Sequence, residues 1–182
     1  MKKRLLFHFR KLIKPVMVGR LRDKDGNKVN NTRIGSSVSL VGETNLILGE
    51  NVFIGQFNFV DASNGLTIEE GCQITNFISI LTHSSHHAIR LYGACYTKIT
   101  DKIAYGEGKV RIGKYSFIGP HSVIMPNTDI GKGSIVTAYS FVKGTFPDFA
   151  VIGGNPAKVI GDTRDIDNSI LTENPNLKQY YD

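Results

Sequence analysis

The strongest constraint on the fold of this chain is a six-residue period between residues 112 and 142. Branched apolar residues occupy every sixth position, namely Ile112, Ile118, Ile124, Ile130, Val136 and Val142. Small hydroxyl residues follow the first five of them at a distance of four, namely Ser116, Ser122, Thr128, Ser134 and Ser140. Neither the 3.6-residue period of a helix nor the alternation of a half-buried strand produces this spacing. The pattern predicts a solenoid of short parallel strands, with the branched residues inside and the small residues at tight corners.

The same period extends less regularly towards the N-terminus. The apolar residues expected to point inward there are Ile34, Leu40, Leu48, Ile54, Val60, Ile68, Ile74 and Ile80. Two of the steps are eight residues long, and they begin at Leu40 and Val60, which lie 20 residues apart. We therefore predict that Leu40, Val60 and Ile80 stack at one corner, which bulges twice and is then interrupted by a long loop, residues 81–111. Residues 61–64 are predicted to lie next to the base of that loop.

The loop opens with the densest cluster of polar chemistry in the chain, ILTHSSHHAIRLYG. It holds three of the five histidines, His83, His86 and His87. A long segment without secondary structure inside a compact domain is uncommon and is usually functional. We expect residues 81–111 to be such a segment.

Length and composition predict one domain with short appendages. The chain has 182 residues, of which 41% are hydrophobic, and this excludes a disordered chain. We divide it into a basic N-terminal segment with a hairpin (1–33), a β-helix domain (34–152) and an exit motif with a tail (153–182), in which a short helix is expected around residues 166–172. Its two cysteines have no metal-like spacing, which favours free thiols and a cytoplasmic location.

The positive charge is concentrated at the N-terminus. Residues 1–33 hold 11 Lys/Arg and 2 Asp, whereas the other residues hold 11 Lys/Arg and 14 Asp/Glu. His8, Arg10 and Lys11 interrupt the apolar run that a secretory signal would need, and no stretch is long enough to cross a membrane. Residues 1–14 are expected to form a basic amphipathic helix. It either packs on its own domain or a neighbouring subunit, or contacts an anionic membrane surface or a polyanionic substrate.

Residues 34–161 resemble the hexapeptide-repeat acyltransferases. The likeness rests on the repeat, on Thr82-His83 followed by His86-His87, and on the closing GGNPAKVIG at 153–161. It implies an all-β fold, the left-handed parallel β-helix, and a homotrimer with active sites between subunits. Acetyl-CoA is the implied co-substrate, with no metal and no nucleic acid. The chain is most similar to bacterial capsule and O-antigen polysaccharide O-acetyltransferases, so we expect acetyl transfer to a sugar hydroxyl, at the inner face of the membrane if the acceptor is membrane-bound.

On the acceptor side, the resemblance implies that His83 is the general base. A neutral imidazole suits this role because its unperturbed pKa is about 6.5. His86 is expected to contact the acceptor at the rim of the site. Asn58 and Asp61 are candidates for contacts with acceptor hydroxyls, and Asp61 could alternatively steady the imidazole of His83.

On the donor side, Phe117 stands where relatives commonly have Trp, and it is expected to contact coenzyme A. Pro120 stands where relatives commonly offer a backbone N–H to the thioester carbonyl, and proline has none. Another donor for the oxyanion is therefore needed, either His121 or a neighbouring amide, and His121 is also a candidate acceptor contact. The resemblance places the pantetheine arm near Ala138, with Lys143 and Lys158 as further contacts to coenzyme A.

Three other functions are compatible with this type of fold. The acceptor could be an amine, as in acetylation of an amino sugar nucleotide. A zinc hydratase of the γ-carbonic-anhydrase kind would need three converging imidazoles, for which only His83, His87 and His121 are available. A non-catalytic scaffold or ice-binding solenoid would not require the histidine-rich loop.

Overall fold

The chain folds as a three-sided parallel β-helix in a computed structural model that describes residues 14–22 and 25–181. The first face contains β2 (Arg33–Gly35), β5 (Phe53–Ile54), β8 (Gln73–Ile74), β13 (Phe117–Ile118), β16 (Ile135–Val136) and β19 (Ala150–Gly154). The second face contains β3 (Ser39–Val41), β6 (Phe59–Asp61), β9 (Ser79–Ile80), β14 (Val123–Ile124) and β17 (Phe141–Val142). The third face contains β4 (Leu46–Leu48), β7 (Leu66–Ile68), β12 (Val110–Ile112), β15 (Thr128–Ile130) and β18 (Thr145–Phe146). The predicted fold class is therefore confirmed.

The inward column predicted from the six-residue period is the core of the helix. Ile112 pairs in register with Ile130, and Ile124 pairs with Val142, each fully buried. The small hydroxyl residues are buried at the corners and join successive coils. Ser116 Oγ, for example, donates to the carbonyl of Gly131 at 3.0 Å and accepts from the N–H of Ser134 at 3.2 Å. These residues satisfy backbone groups that would otherwise be buried without partners.

The predicted stacking at the interrupted corner is also confirmed. Leu40 pairs with Val60, Val60 with Ile80, and Ile80 with Ile124. The coil therefore continues unbroken beneath the long loop, residues 81–111, which we call the excursion. The excursion corner, as we call this edge between the second and third faces, is therefore a fixed platform. A loop that begins and ends on such a platform is anchored at both ends.

The expectation that residues 81–111 lack structure is wrong. The segment contains the antiparallel hairpin of β10 (His83–Ser84) and β11 (Gly106–Glu107), the helix α1 (Ala88–Tyr92) and a 3-10 helix, Gly93–Lys98. The N–H of Gly108 donates to the carbonyl of Thr82 at 3.0 Å, which closes the base of the loop. Main-chain pairing across the base was not visible in a sequence without alternating hydrophobic residues.

The termini extend the first face on both sides. β1 (Met17–Val18) pairs antiparallel with β2, and an antiparallel bridge joins Arg22 to Lys28 in the expected hairpin. The coil continues past residues 146–148 into β19, and the Gly154–Ala157 turn then reverses the chain into β20 (Ala157–Asp162). The predicted C-terminal helix is α2 (Thr163–Glu173), followed by a 3-10 helix, Pro175–Tyr180.

The basic amphipathic segment lies almost wholly outside the described residues, which begin at Lys14. In the part that the structure describes, no helix combines the length and the apolar character needed to span a bilayer.

Candidate functional site

His83 stands at the excursion corner, directly after the chain leaves the second face. Its backbone pairs with Glu107 across the β10–β11 hairpin, and its ring stacks on Tyr105 with 6.0 Å between the ring centroids and 14° between their planes. The neighbouring Thr82 is fully buried, whereas the His83 side chain is 38% exposed. The imidazole is thus held from below and from one side while a substrate can still reach it.

Asp61 supports the imidazole from the coil below. Its carboxylate is fully buried at the end of β6, and its Oδ2 lies 2.7 Å from His83 Nδ1. The same oxygen accepts the N–H of Thr82 at 2.9 Å and its hydroxyl at 2.7 Å. The second oxygen, Oδ1, accepts the N–H of Ser63 at 2.9 Å. Of the two roles that the sequence suggested for Asp61, this geometry provides the contact to the imidazole, because no face of the carboxylate is open to an acceptor sugar.

The carboxylate of Asp61 is ionised throughout the neutral range. Burial alone would raise its pKa, but the hydrogen bonds from Ser63 and Thr82 outweigh that effect and hold the pKa well below its usual value. An ionised carboxylate can only accept hydrogen bonds, so the proton between the two residues is on His83 Nδ1. In the neutral imidazole, Nε2 then carries the lone pair. The pair therefore presents a base with a defined tautomer.

A group of cationic and imidazole side chains lies immediately after His83. The His86 and His87 rings are 3.9 Å apart between centroids, and Ser84 Oγ lies 2.7 Å from His86 Nδ1. Arg90 donates to the carbonyl of His86 at 2.5 Å and lies 2.9 Å from His87 Nδ1. Partial desolvation lowers the pKa of His86, and the nearby charges of His87, Arg90 and Lys143 lower it further. His86 is exposed, and its contact with the acceptor at the rim of the site stays a prediction.

The excursion also carries an open cavity beside Tyr105. It has a volume of about 500 Å³, and the residues that line it include Tyr96, Asp101, Lys102, Tyr105 and Glu107. Tyr105 is the ring that stacks on His83, so the cavity adjoins the imidazole. Aromatic rings combined with carboxylate and ammonium groups are suited to binding a polar ring with several hydroxyls.

The prediction that Asn58 contacts the acceptor is wrong. Its side chain is buried, with 2% of the residue exposed. Nδ2 donates to the carbonyls of Thr75 at 2.7 Å and Gly55 at 3.1 Å, and Oδ1 accepts the N–H of Ile78 at 2.7 Å. Asn58 occupies an interior corner position, the same one as the small hydroxyl residues in later coils, and its polar atoms are used by the backbone.

His121 is not near His83 within one chain. It lies on a different edge, between the first and second faces, which we call the aromatic corner. There its ring is stacked between Phe77 at 5.0 Å and Tyr139 at 4.8 Å, and Phe57 extends the column beyond Phe77 at 5.1 Å. All four residues have φ near +60° and their rings repeat once per coil. A hexapeptide period places them in register, but it does not bring them to the excursion.

The four predicted contacts to coenzyme A do not converge within one chain. Ala138 lies at the aromatic corner next to Tyr139, and none of the hydrogen bonds among the described residues uses its N–H. Lys143 lies instead at the excursion corner, near His86. Phe117 faces a cavity of about 310 Å³, which is lined by Phe149, Tyr180 and other residues of the first face and the C-terminal segment. Lys158 is exposed on β20.

The residues that complete the site were not all visible in the sequence. Thr82, Tyr105 and Glu107 each contact His83 or its carboxylate partner, and only Thr82 belonged to a motif that the sequence drew attention to. Tyr105 and Glu107 are about 20 residues away along the chain, and no pattern linked them to it. Among the described residues, no three His, Cys, Asp or Glu side chains are grouped so that they could hold a metal ion. The ligand set of His83, His87 and His121 is therefore not assembled within the chain.

Comparison with known sequences identifies the repeat. Residues 109–144 match the model of the bacterial transferase hexapeptide (six repeats). The chain is 31% identical to serine acetyltransferase 2 of Arabidopsis thaliana over 128 residues, which are 70% of this chain and 36% of that protein. It is 43% identical to the putative acetyltransferase YvoF of Bacillus subtilis (strain 168) over 56 residues, which are 31% of this chain and 33% of that protein. The chain thus spans about a third of the length of these relatives.

Solved structures share the fold at low sequence identity. The hexapeptide-repeat-containing acetyltransferase VCA0836 from Vibrio cholerae superimposes with a TM-score of 0.64 and 20% identity, over 74% of this chain and 72% of that one. AntD, an N-acyltransferase from Bacillus cereus in complex with dTDP and 3-hydroxybutyryl-CoA, superimposes with a TM-score of 0.60 and 22% identity, over 80% of this chain and 89% of that one. At such identities the likeness concerns the left-handed β-helix and not the substrate.

Proposed function

The chain belongs to the hexapeptide-repeat transferase family, and on that premise we propose that it is an acetyl-CoA-dependent O-acetyltransferase with His83 as its general base. The observation that carries the proposal is the contact of 2.7 Å between His83 Nδ1 and the buried carboxylate of Asp61. This contact leaves Nε2 as the basic atom at a half-exposed position in a polar cleft. A structural histidine in a solenoid would need neither an ionised buried partner nor exposure to solvent.

In the proposed reaction, Nε2 removes the proton from an acceptor hydroxyl as its oxygen attacks the thioester carbonyl. The new C–O bond forms, the C–S bond breaks, and the proton on the imidazole is then returned to the departing thiolate of coenzyme A. Asp61 stabilises the transient imidazolium because the carboxylate faces its Nδ1–H. A hydroxyl gains more from this base than a neutral amine, which can attack without prior deprotonation, so O-acetylation is favoured over the N-acetylation alternative.

The active site of the proposed enzyme requires a second copy of the chain. His83 lies at the excursion corner, whereas Ala138 with its free N–H lies at the aromatic corner, on another edge of the same prism. Two copies packed side by side can bring these two corners together, and three copies do so in a closed ring. The exposed aromatic column of Phe57, Phe77, His121 and Tyr139 supports burial of that corner. We therefore propose a homotrimer with intersubunit sites.

The acceptor that we propose is a saccharide, and specifically one belonging to a bacterial surface polysaccharide such as capsule or O-antigen. The cavity next to Tyr105, with its mixture of aromatic and charged side chains, supports a sugar. The basic segment at residues 1–14 supports an acceptor that is anionic or held at the cytoplasmic face of the membrane.

The test is thiol release from acetyl-CoA in the presence of a panel of bacterial polysaccharides. We expect His83→Ala to lower kcat by about 10²–10⁴-fold while the molar mass by light scattering stays that of a trimer. Thr82→Val is the matched control, since it alters the residue next to His83 and removes one hydrogen bond to Asp61 but leaves the contact between His83 and Asp61 in place. Near-normal turnover by the trimeric His83→Ala variant would remove His83 from the role of base.

A further inference from the structure

We propose that His87, Arg90 and Lys143, which we call the loop cation cluster, bind an anionic group on the acceptor, either a carboxylate or a phosphate. This inference rests on the proposed transfer to a saccharide and narrows its substrate class to anionic saccharides. A hydrogen bond within the excursion joins Arg90 to His87, and Lys143, on the coil beneath, is close enough to act electrostatically on the neighbouring His86.

The contacts of Arg90 orient the cluster. The guanidinium is always protonated, so its Nη2 donates to His87 Nδ1 at 2.9 Å, and its Nη1 donates to the carbonyl of His86 at 2.5 Å. A neutral His87 that accepts at Nδ1 carries its proton on Nε2, which makes that nitrogen a further donor. The remaining N–H groups of Arg90 and the ammonium of Lys143 add to it. The cluster therefore offers several donors, and its two full charges are both positive.

The cations of the cluster have no counter-ion in the part of the chain that the structure describes. None of the ion pairs among the described residues involves Arg90 or Lys143. The two charged members of the cluster, Arg90 and Lys143, both lie close enough to His86 to lower its pKa, and both are positive. Like charges that are held together without a partner disfavour one another, and a bound anion removes that cost.

The distribution of charge along the chain supports the same conclusion. Residues 81–111 hold five Lys/Arg and two Asp/Glu, whereas the other residues between 34 and 182 hold six and twelve. Of the five basic residues in the excursion, Arg111 is paired with Glu69 and Asp129, so its charge is offset locally. The excursion thus carries a net positive charge on a domain whose net charge is otherwise negative. Anions are therefore attracted towards His83 and away from the coils.

The short separation along the chain between His83 and both His87 and Arg90 favours the acceptor over the donor as the source of the anion. His87 and Arg90 follow His83 by four and seven residues and are bound to the same short hairpin and helix. The phosphates of coenzyme A are separated from the thioester by the whole pantetheine arm. When the thioester lies at His83, those phosphates must therefore lie well away from it. An anion so close to the reacting hydroxyl belongs to the sugar that carries it, and Lys143 is accordingly assigned to the acceptor.

The experiment compares galactose with two anionic derivatives: galacturonate, which carries a carboxylate at C6, and galactose 1-phosphate, which carries a phosphate at C1. Binding to the full-length trimer is measured by calorimetry and by the imidazole NMR signals of His87, so turnover is not required. We expect galacturonate or galactose 1-phosphate to bind at least tenfold more tightly than galactose at about 0.05 M salt, and the preference to decline as salt screens the cluster. Which of the two anionic sugars binds more tightly identifies the carboxylate or the phosphate as the ligand.

Two neutralising variants locate the preference. Arg90→Gln should weaken binding of the preferred anion about tenfold, the lower end of what a charged hydrogen bond contributes, and Arg90→Gln with Lys143→Gln should abolish the preference. Lys178→Gln, at an exposed position of the C-terminal 3-10 helix, is the control for loss of one positive charge. If the two variants weakened the binding of acetyl-CoA and not that of the sugar, the cluster would belong to the donor and the proposal would be overturned. Equal affinity of the native protein for all three sugars would also overturn it. If the native protein bound the anionic sugar but released no thiol from acetyl-CoA with any acceptor, the proposed transfer reaction would be refuted and the anion site would stand.

Discussion

Replacement of Asp61 by Asn tests the pair on which the proposed mechanism depends. The substitution keeps the size and shape of the side chain but removes its charge and converts one acceptor into a donor. Oδ2 receives three hydrogen bonds, from His83 Nδ1 and from the N–H and hydroxyl of Thr82. The amide oxygen must therefore take that position, which turns the NH₂ group towards the N–H of Ser63. The imidazole keeps a partner but loses the anion.

The size of the effect follows from these contacts. A hydrogen bond to a charged group contributes about 1.5–3 kcal/mol, so the imidazolium that forms during the reaction loses stabilisation of that order. At 1.36 kcal/mol for each factor of ten, kcat should fall about 10–150-fold. The KM for acetyl-CoA should stay unchanged, because Asp61 is buried and contacts no substrate. The two donors that face each other at Ser63 should lower the free energy of unfolding by about 1–3 kcal/mol.

Steady-state thiol release separates catalysis from folding. Thr82→Val is the matched control, because it removes one hydrogen bond to the same oxygen and leaves the contact between His83 and Asp61 in place. It should lose stability but keep most of its turnover. If Asp61→Asn were folded and turned over within twofold of the native enzyme, or if it lost no more activity than Thr82→Val, the role of Asp61 in positioning the base would be refuted.

The next prediction concerns how the stability of the Asp61→Asn variant depends on pH. The pKa of Asp61 is lowered on folding, so its carboxylate contributes stability that is fully present above the unfolded pKa of about 3.9 and is lost as the pH falls towards the folded value. The difference in unfolding free energy between the native protein and Asp61→Asn should therefore be largest at neutral pH and shrink below about pH 4. Urea denaturation at pH 7, 5, 4 and 3 measures it, and a difference that grows on acidification would contradict the assignment.

Two further predictions concern buried groups away from the base. Asn58→Ala leaves the N–H of Ile78 without its acceptor and should lower the free energy of unfolding by about 1–3 kcal/mol. The kcat and both KM values should stay unchanged. A raised KM for the acceptor at unchanged stability would restore Asn58 to the site. Burial raises the pKa of the Cys72 thiol to about 11, whereas Cys95 is exposed. Iodoacetamide at pH 8 should therefore label the native protein at Cys95, and Cys72 only after denaturation. Mass spectrometry identifies the labelled residue. Equal labelling of both thiols in the native protein would show that the coil opens at Cys72.

The chain shows how far a repeat can be interpreted before its structure is known. The stacking of Leu40, Val60 and Ile80 was predictable because a solenoid converts distance along the chain into position at a corner. The same rule placed Asp61 below the loop that begins at Leu81. It failed for Asn58, because a period does not say whether a polar residue beside an inward position points to solvent or to the backbone of the next coil.

By itself the sequence determined the three-sided helix, the point at which the loop leaves it and the histidine that the loop carries, because these depend on local spacing. Only the tertiary structure decided which groups meet. It turned Asp61 towards His83, and it brought the ring of Tyr105 back to the imidazole and the backbone of Glu107 back to that of His83. It also placed His121 and Ala138 on a different edge. Those outcomes depend on side-chain direction and on pairing within an irregular loop, and a six-residue period carries information about neither.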